Sequence, residues 1–166
     1  MNQKPGANAY TVRVADWQAD GEALRAVRET VFIHEQGVPV ELEWDAFDTN
    51  CTHLIASDPA GRPIGTARLL PHGSAGRMAV IKEWRGRGVG SALMRHLLDE
   101  AMKRRIQQVA LSAQVHATEF YAGFGFRVTG KEFMEAGIPH VRMVLRLGWT
   151  DPSNNLDSER TAKYEL

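Results

Sequence analysis

One run in this 166-residue chain could hold an anion: Arg85-Gly86-Arg87-Gly88-Val89-Gly90. Glycines carry no Cβ, so a phosphate can approach the backbone closely there, and Arg85 and Arg87 add fixed positive charge in a fork geometry. The run precedes a segment with the apolar spacing of a helix. A helix opening at this point turns its unpaired N–H groups and the positive end of its dipole toward one spot. As a plain connection the run would cost about 1 kcal/mol for each glycine falling within the helix. It lacks the Gly-Lys-Ser/Thr of a triphosphate loop, and Gly86-x-Gly88-x-Gly90 is not the G-x-G-x-x-G of a dinucleotide site. The residues alone predict a phosphate and leave its owner open.

Other residues offer further chemistry. Tyr121 sits among Phe120 and Phe124, where a phenol serves either as proton donor or as an amphipathic core residue. Glu35, Glu41, Glu43, Asp45 and Asp48 could line a pocket for a cationic amine or belong to a solvated loop, with Arg28 pairing to one carboxylate and Phe32 packed beneath. His72, His116 and His140 are candidate bases, and none stands out. No metal site is expected, because His34-Glu35 lacks the second His of H-E-x-x-H and Cys51-Thr52-His53 has no partner cluster. Cys51 is the single cysteine, which excludes an intramolecular disulfide, suits a reducing compartment and reads as a small half-buried hydrophobe.

The elements that must position these groups follow from periodicity. Residues 1–9 form a leader, residues 10–148 one domain, and 149–166 a polar tail whose Trp149 and Tyr164 could serve a homodimer contact. A first strand runs from Tyr10 to Val14. A helix is expected from about Asp20, with Leu24, Val27, Val31 and Phe32 on one face and Gly37 and Pro39 as its stop. Residues 41–50 read as a loop or short irregular helix. Strands are expected at 52–56, 63–70 and 76–81, then a helix in which Val89, Leu93, Leu97 and Ala101 recur every four residues. A buried strand at 109–113, a helix at about 117–122 and a hairpin pairing 127–131 with 141–147 complete the domain. This is an α/β chain with a mixed sheet and the glycine-rich turn near its middle.

Lys plus Arg equals Asp plus Glu at 20 each, so net charge gives no support for a nucleic-acid or membrane-surface partner. The N-terminus has no apolar signal-peptide region and no run approaches the roughly 20 apolar residues of a membrane span, so a cytoplasmic location is expected.

Arg85-x-x-Gly88-x-Gly90 resembles the Q/R-x-x-G-x-G/A pattern of the Gcn5-related N-acetyltransferases (GNAT), and Gly76–Val80 before it resembles the family's fourth strand. Ala117-Thr118-Glu119-Phe120-Tyr121-Ala122-Gly123-Phe124-Gly125-Phe126 resembles its A-x-x-x-Y-x-x-x-G-F segment. Arg28-x-x-Val31-Phe32-x-x-Glu35-Gln36, then Glu43, Asp45, Asp48, His53 and Phe133-x-Glu135-x-Gly137-Ile138-Pro139-His140, resemble the ElaA/YjcF-like branch.

The resemblance implies an acyl-CoA acyltransferase fold, a mostly antiparallel sheet with splayed central strands flanked by helices. It implies acetyl-CoA as cosubstrate, held by Met78, Ala79, Val80, the turn Arg85, Gly86, Arg87, Gly88, Val89 and Gly90, and by Gln114 and Tyr121. Gln114 stands where many members carry Asn. Tyr121 would protonate the departing thiolate, and Arg28, Phe32, Glu35, Glu43, Asp45, His53 and His140 would face the acceptor, a small-molecule or peptide amine. A glutamate that some members place on the fourth strand is absent here. An acyl-homoserine-lactone-synthase-like acyltransferase and a non-catalytic acetyl-CoA-binding protein are the alternatives.

Overall fold

The structure, a computed structural model, describes residues 9–148. Trp149, Tyr164 and the rest of the expected tail, with most of the leader, lie outside the described residues. The described chain divides into two compact units, residues 9–71 with 75–99, and residues 72–74 with 100–148.

The first unit carries a four-stranded antiparallel sheet of β1 (Thr11–Ala15), β2 (Thr52–Ser57), β3 (Pro63–Leu69) and β4 (Ala75–Val80), in that order. The inner strands β2 and β3 are buried along almost their whole length, the polar His53, Thr66 and Arg68 included. Helix α1 (Trp17–Arg28) starts three residues before the expected Asp20, because Asp16 caps it. The Asp16 carboxylate accepts from the Ala19 amide at 2.8 Å, and Asp20 accepts from the Asp16 amide at 2.8 Å.

The expected single helix up to Gly37 does not persist as an α-helix. From Glu29 to Glu35 it is a π-helix, with the Gln36 amide donating five residues back to the Val31 carbonyl at 3.0 Å. The Thr30 hydroxyl donates to the Ala26 carbonyl at 2.9 Å, a side-chain bond of the kind that disturbs an α ladder. Residues 40–50 form a short helix α2 (Val40–Glu43) and a 3-10 turn (Ala46–Asn50) whose Asp45 cap accepts from the Phe47 amide.

Helix α3 (Val89–Lys103) buries the expected Val89, Leu93, Leu97 and Ala101 with Met94 and Leu98 beside them, whereas Met102, which the same broad stripe would include, is exposed. Gly65 on β3 lets this helix close in, since a Cβ there would sit 2.9 Å from Leu93 and 3.2 Å from Val89.

The second unit holds an antiparallel sheet in the order β5 (Gln108–Gln114), β7 (Ile138–Arg146), β6 (Arg127–Glu135), with the short helix α4 (Thr118–Ala122) between β5 and β6. The hairpin is longer than sequence alone suggests. It continues to the Ala136-Gly137 turn, both residues at positive φ, past an irregularity between Thr129 and Phe133. The antiparallel ladders, the helices beside them and the element order match the expected fold class.

Candidate active site

Within the first unit the chain passes from β4 through the 3-10 turn Lys82–Trp84 into Arg85–Gly90 and α3. Gly86 and Gly88 have φ of +72° and +84°, left-handed conformations that disfavour a side chain. A Cβ on Gly86 would meet nothing within 4 Å, so the backbone there borders open space. The Gly88 carbonyl accepts the first helical bond, from Ala92 at 3.0 Å. The amides of Val89, Gly90 and Ser91 then have no helical acceptor, by the geometry of any helix start. No acidic residue occupies this first turn. Backbone donors, a helix N-terminus and open space make this cradle fit for phosphate. The Arg87 guanidinium lies 4.7 Å over the Trp84 ring, and Arg85 is bonded to Glu35 and to the Val80 carbonyl.

β4 contains a bulge. Thr66 pairs with Ala79 and Arg68 with Gly76, so Ala67 alone faces both Arg77 and Met78. Arg77 takes φ +48°, which for a non-glycine residue costs about 1–2 kcal/mol. A bulge takes backbone groups out of the ladder and re-aims the residues beside it. Thr66 satisfies the Arg77 carbonyl at 3.0 Å. The Arg77 side chain reaches the Glu43 carbonyl at 3.0 Å, the Leu42 carbonyl at 3.3 Å and Asp45 at 3.2 Å.

That clasp is one edge of a charge network. Arg28, 1% exposed, donates to Glu43 at 2.6 Å and to Asp48 at 2.8 Å. Arg68 donates to Asp48 at 2.9 Å and to Asp45 at 2.7 and 3.0 Å. Three arginines face three carboxylates, so the acidic group presents no net negative charge from Glu43, Asp45 and Asp48. Burial would raise the Asp48 carboxyl, but the Arg28 bond and the two guanidinium charges hold it below the ordinary range. For Glu43 burial wins and its carboxyl is held above that range.

His53 is buried, stacked on Trp17 at 4.7 Å, with Nε2 against the Asp48 carbonyl at 2.8 Å. Cys51 Sγ lies 3.2 Å from the same nitrogen. The 3-10 turn thus supplies Cys51 and His53 with a third neighbour, Asp48, their ligand atoms lying within 4.8 Å of one another. Arg28 and Arg68 on that carboxylate oppose a cation, and burial pushes the Cys51 thiol up to about 11, which keeps it protonated and unreactive.

In the second unit Tyr121 is half-buried against Phe120 and Phe126, with ring centroids 5.0 and 6.1 Å away. Burial pushes its hydroxyl up to about 12. It stays protonated across the working pH range. Gln114, at the end of β5, pairs in register with His140. The His140 Nδ1 approaches the Ile138 carbonyl at 2.7 Å, and its ring stacks on Phe133.

Of the residues expected to face an acceptor, the structure joins Arg28, Glu43 and Asp45 in the network, with His53 beside it. Phe32 and Glu35 lie on the π segment, and His140 on β7. Sequence reasoning missed Arg68 and Arg77. An arginine inside the largely apolar strand expected at 63–70 is a signal that it needs buried partners.

Residues 17–147 match the family model described as an acetyltransferase (GNAT) domain. The chain is 38% identical over 122 residues to YjcF of Bacillus subtilis, an uncharacterized N-acetyltransferase, covering 71% of this chain and 86% of that one. Escherichia coli ElaA superposes with a TM-score of 0.74 at 26% identity, covering 82% of this chain and 99% of that one. An acyl-CoA N-acyltransferase from Pseudomonas aeruginosa superposes with a TM-score of 0.72 at 29% identity, over 82% and 97%. The bulged strand, the glycine turn at a helix start and these likenesses agree: the chain belongs to the GNAT acetyltransferase family.

Proposed function

We propose that this enzyme moves the acetyl group of acetyl-CoA to a primary amine of a small molecule or peptide, by direct attack of the amine and in the cytoplasm. The observation that carries the reading is the path from the β4 bulge to the α3 N-terminus within one unit. A bulge exposes backbone groups, and five residues beyond the strand a glycine-lined helix start offers donors to an anion. The cofactor assignment is the backbone of Met78, Ala79 and Val80 for the pantetheine arm and acetyl carbonyl, and residues 85–90 for the phosphates, with Gln114 and Tyr121 also on CoA. An N–H of β4 placed where charge develops would stabilise the oxyanion.

Tyr121 is the proposed acid. A phenol raised to about 12 transfers its proton late to a thiolate of ordinary pKa near 8.5, and so acts mainly by hydrogen bonding. Tyr121→Phe should therefore lower kcat about tenfold, the worth of one hydrogen bond to a charged atom, and more than it weakens acetyl-CoA binding. An equal loss in binding affinity would make Tyr121 a cofactor contact only.

On the acceptor side, Phe32 and His140 are proposed near the amine, Glu35 having both oxygens on Arg85, while Arg28, Glu43, Asp45 and His53 take part in tying residues 43–48 to α1, β2, β3 and β4. The test is release of CoA thiol across polyamines, amino sugars, amino acids and peptides. Acetyl-CoA binding without thiol release for any amine would reduce the protein to a binding module.

A further inference from the structure

The motif at residues 85–90 would put the Arg85 fork on the ligand, yet the protein already engages it. Nη1 and Nη2 donate to the two Glu35 oxygens at 2.5 and 2.8 Å, and Nε donates to the Val80 carbonyl at 2.9 Å. Val80 is the last residue of β4 and Glu35 the last of the π segment. Both side chains are exposed, 41% and 37%, so the pair adds little to stability. It is nevertheless bidentate and fully charged: the Arg85 bond holds the Glu35 carboxyl below its ordinary range. An arginine neutralised in this way presents little net charge to a phosphate. The π segment that ends at Glu35 is a rare form, found frequently at functional sites.

We propose that Arg85 is a positioning residue for the phosphate turn and not a ligand of the phosphate. Anchored on Glu35 and holding the Val80 carbonyl, it fixes the direction in which β4 leaves for Gly86–Gly90. The anion is then met by the amides of Val89, Gly90 and Ser91 and by the charge of Arg87. This rests on the reading that the turn binds acetyl-CoA, and refines it by dividing the two arginines between two roles. It also makes Glu35 part of the cofactor machinery, through Arg85, although it stands 50 residues from that arginine.

The competing arrangement is that Glu35 merely stands in for the phosphate and is displaced by it. The two differ in sign. Glu35→Gln keeps the shape and removes the charge. If Arg85 is a strut, acetyl-CoA should bind about twofold to fivefold more weakly by calorimetry, the upper range of one exposed ion pair, with the melting temperature nearly unchanged. If Glu35 is a stand-in, the variant should bind more tightly. Unchanged or tighter binding overturns the proposal. The exchange Glu35→Arg with Arg85→Glu gives a further check: it should bind acetyl-CoA more tightly than Arg85→Glu alone, because the pairing between the two positions is restored with its charges reversed, while the donor to the Val80 carbonyl stays lost. A double variant no better than the single one also overturns it. A wild-type chain that binds no acetyl-CoA would overturn the functional reading itself and this proposal with it.

Discussion

Replacing Gly88 by Val is expected to abolish acetyl-CoA binding. Gly88 has φ +84° and closes the first turn of α3 through its carbonyl. A β-branched residue in that conformation carries about 1–3 kcal/mol of strain. Its Cβ would also stand 3.3 Å from the Tyr10 hydroxyl, so the backbone must shift or Tyr10 must yield. A shift in the backbone moves the helix-start amides, and each charge-assisted hydrogen bond they lose is worth about 1.5–3 kcal/mol. Two such bonds amount to a loss of about 100-fold or more. Calorimetry with acetyl-CoA reads the binding, and a thermal melt separates it from unfolding. A folded variant that binds within about threefold of wild type would place the phosphates elsewhere.

The second large effect falls on stability. Arg28→Met removes the guanidinium that holds Glu43 and Asp48, and leaves two buried carboxylates with fewer partners. Breaking one member of a buried ion group costs about 3–5 kcal/mol. For a chain of this size that lowers the melting temperature by about 10 °C. The guanidinium also lies 4.9 Å over the Trp44 ring, a contact the methionine does not replace in kind.

The pH dependence has a definite sign. Asp48 is held below its ordinary pKa, so its contribution is present above the unfolded value of about 3.9 and is lost as pH falls through the folded value. Glu43 is held above its ordinary value by burial, so acid relieves rather than costs it. The gap between wild type and Arg28→Met should therefore shrink below about pH 4. A gap that stays constant through that range would mean Arg28 contributes by packing and not by charge.

Much of the fold was legible because burial imposes a period. The four-residue recurrence of Val89, Leu93, Leu97 and Ala101 marks α3, and alternation marks β7. The glycine turn was legible because two of its glycines take conformations that other residues resist. The charge network was legible only in part. The acidic stretch Glu41–Asp48 reads as a pocket or a solvated loop with Arg28 pairing to one carboxylate, and Arg28 does pair, with Glu43 and Asp48. From other elements, Arg68 and Arg77 meet carboxylates 20 to 34 residues away, and no local period announces such a pairing. The β4 bulge is likewise a property of register, fixed by where β3 places Thr66 and Arg68.

Cys51 and His53 were half legible. Two residues apart along an extended chain they share a face, but the 3-10 turn that brings Asp48 beside them has no clear signature. The π segment was masked by its own sequence, since Leu24, Val27 and Val31 keep an α spacing up to the point where the ladder widens.

Acetyl transfer to an amine by direct attack is tested most directly by a single turnover with excess enzyme over acetyl-CoA and a saturating amine, followed by mass spectrometry. The expected result is CoA thiol and N-acetylated amine in equal amounts, with no acetyl group on the protein. Thiol released without acetylated amine, or an acetyl group retained on the chain, would contradict it.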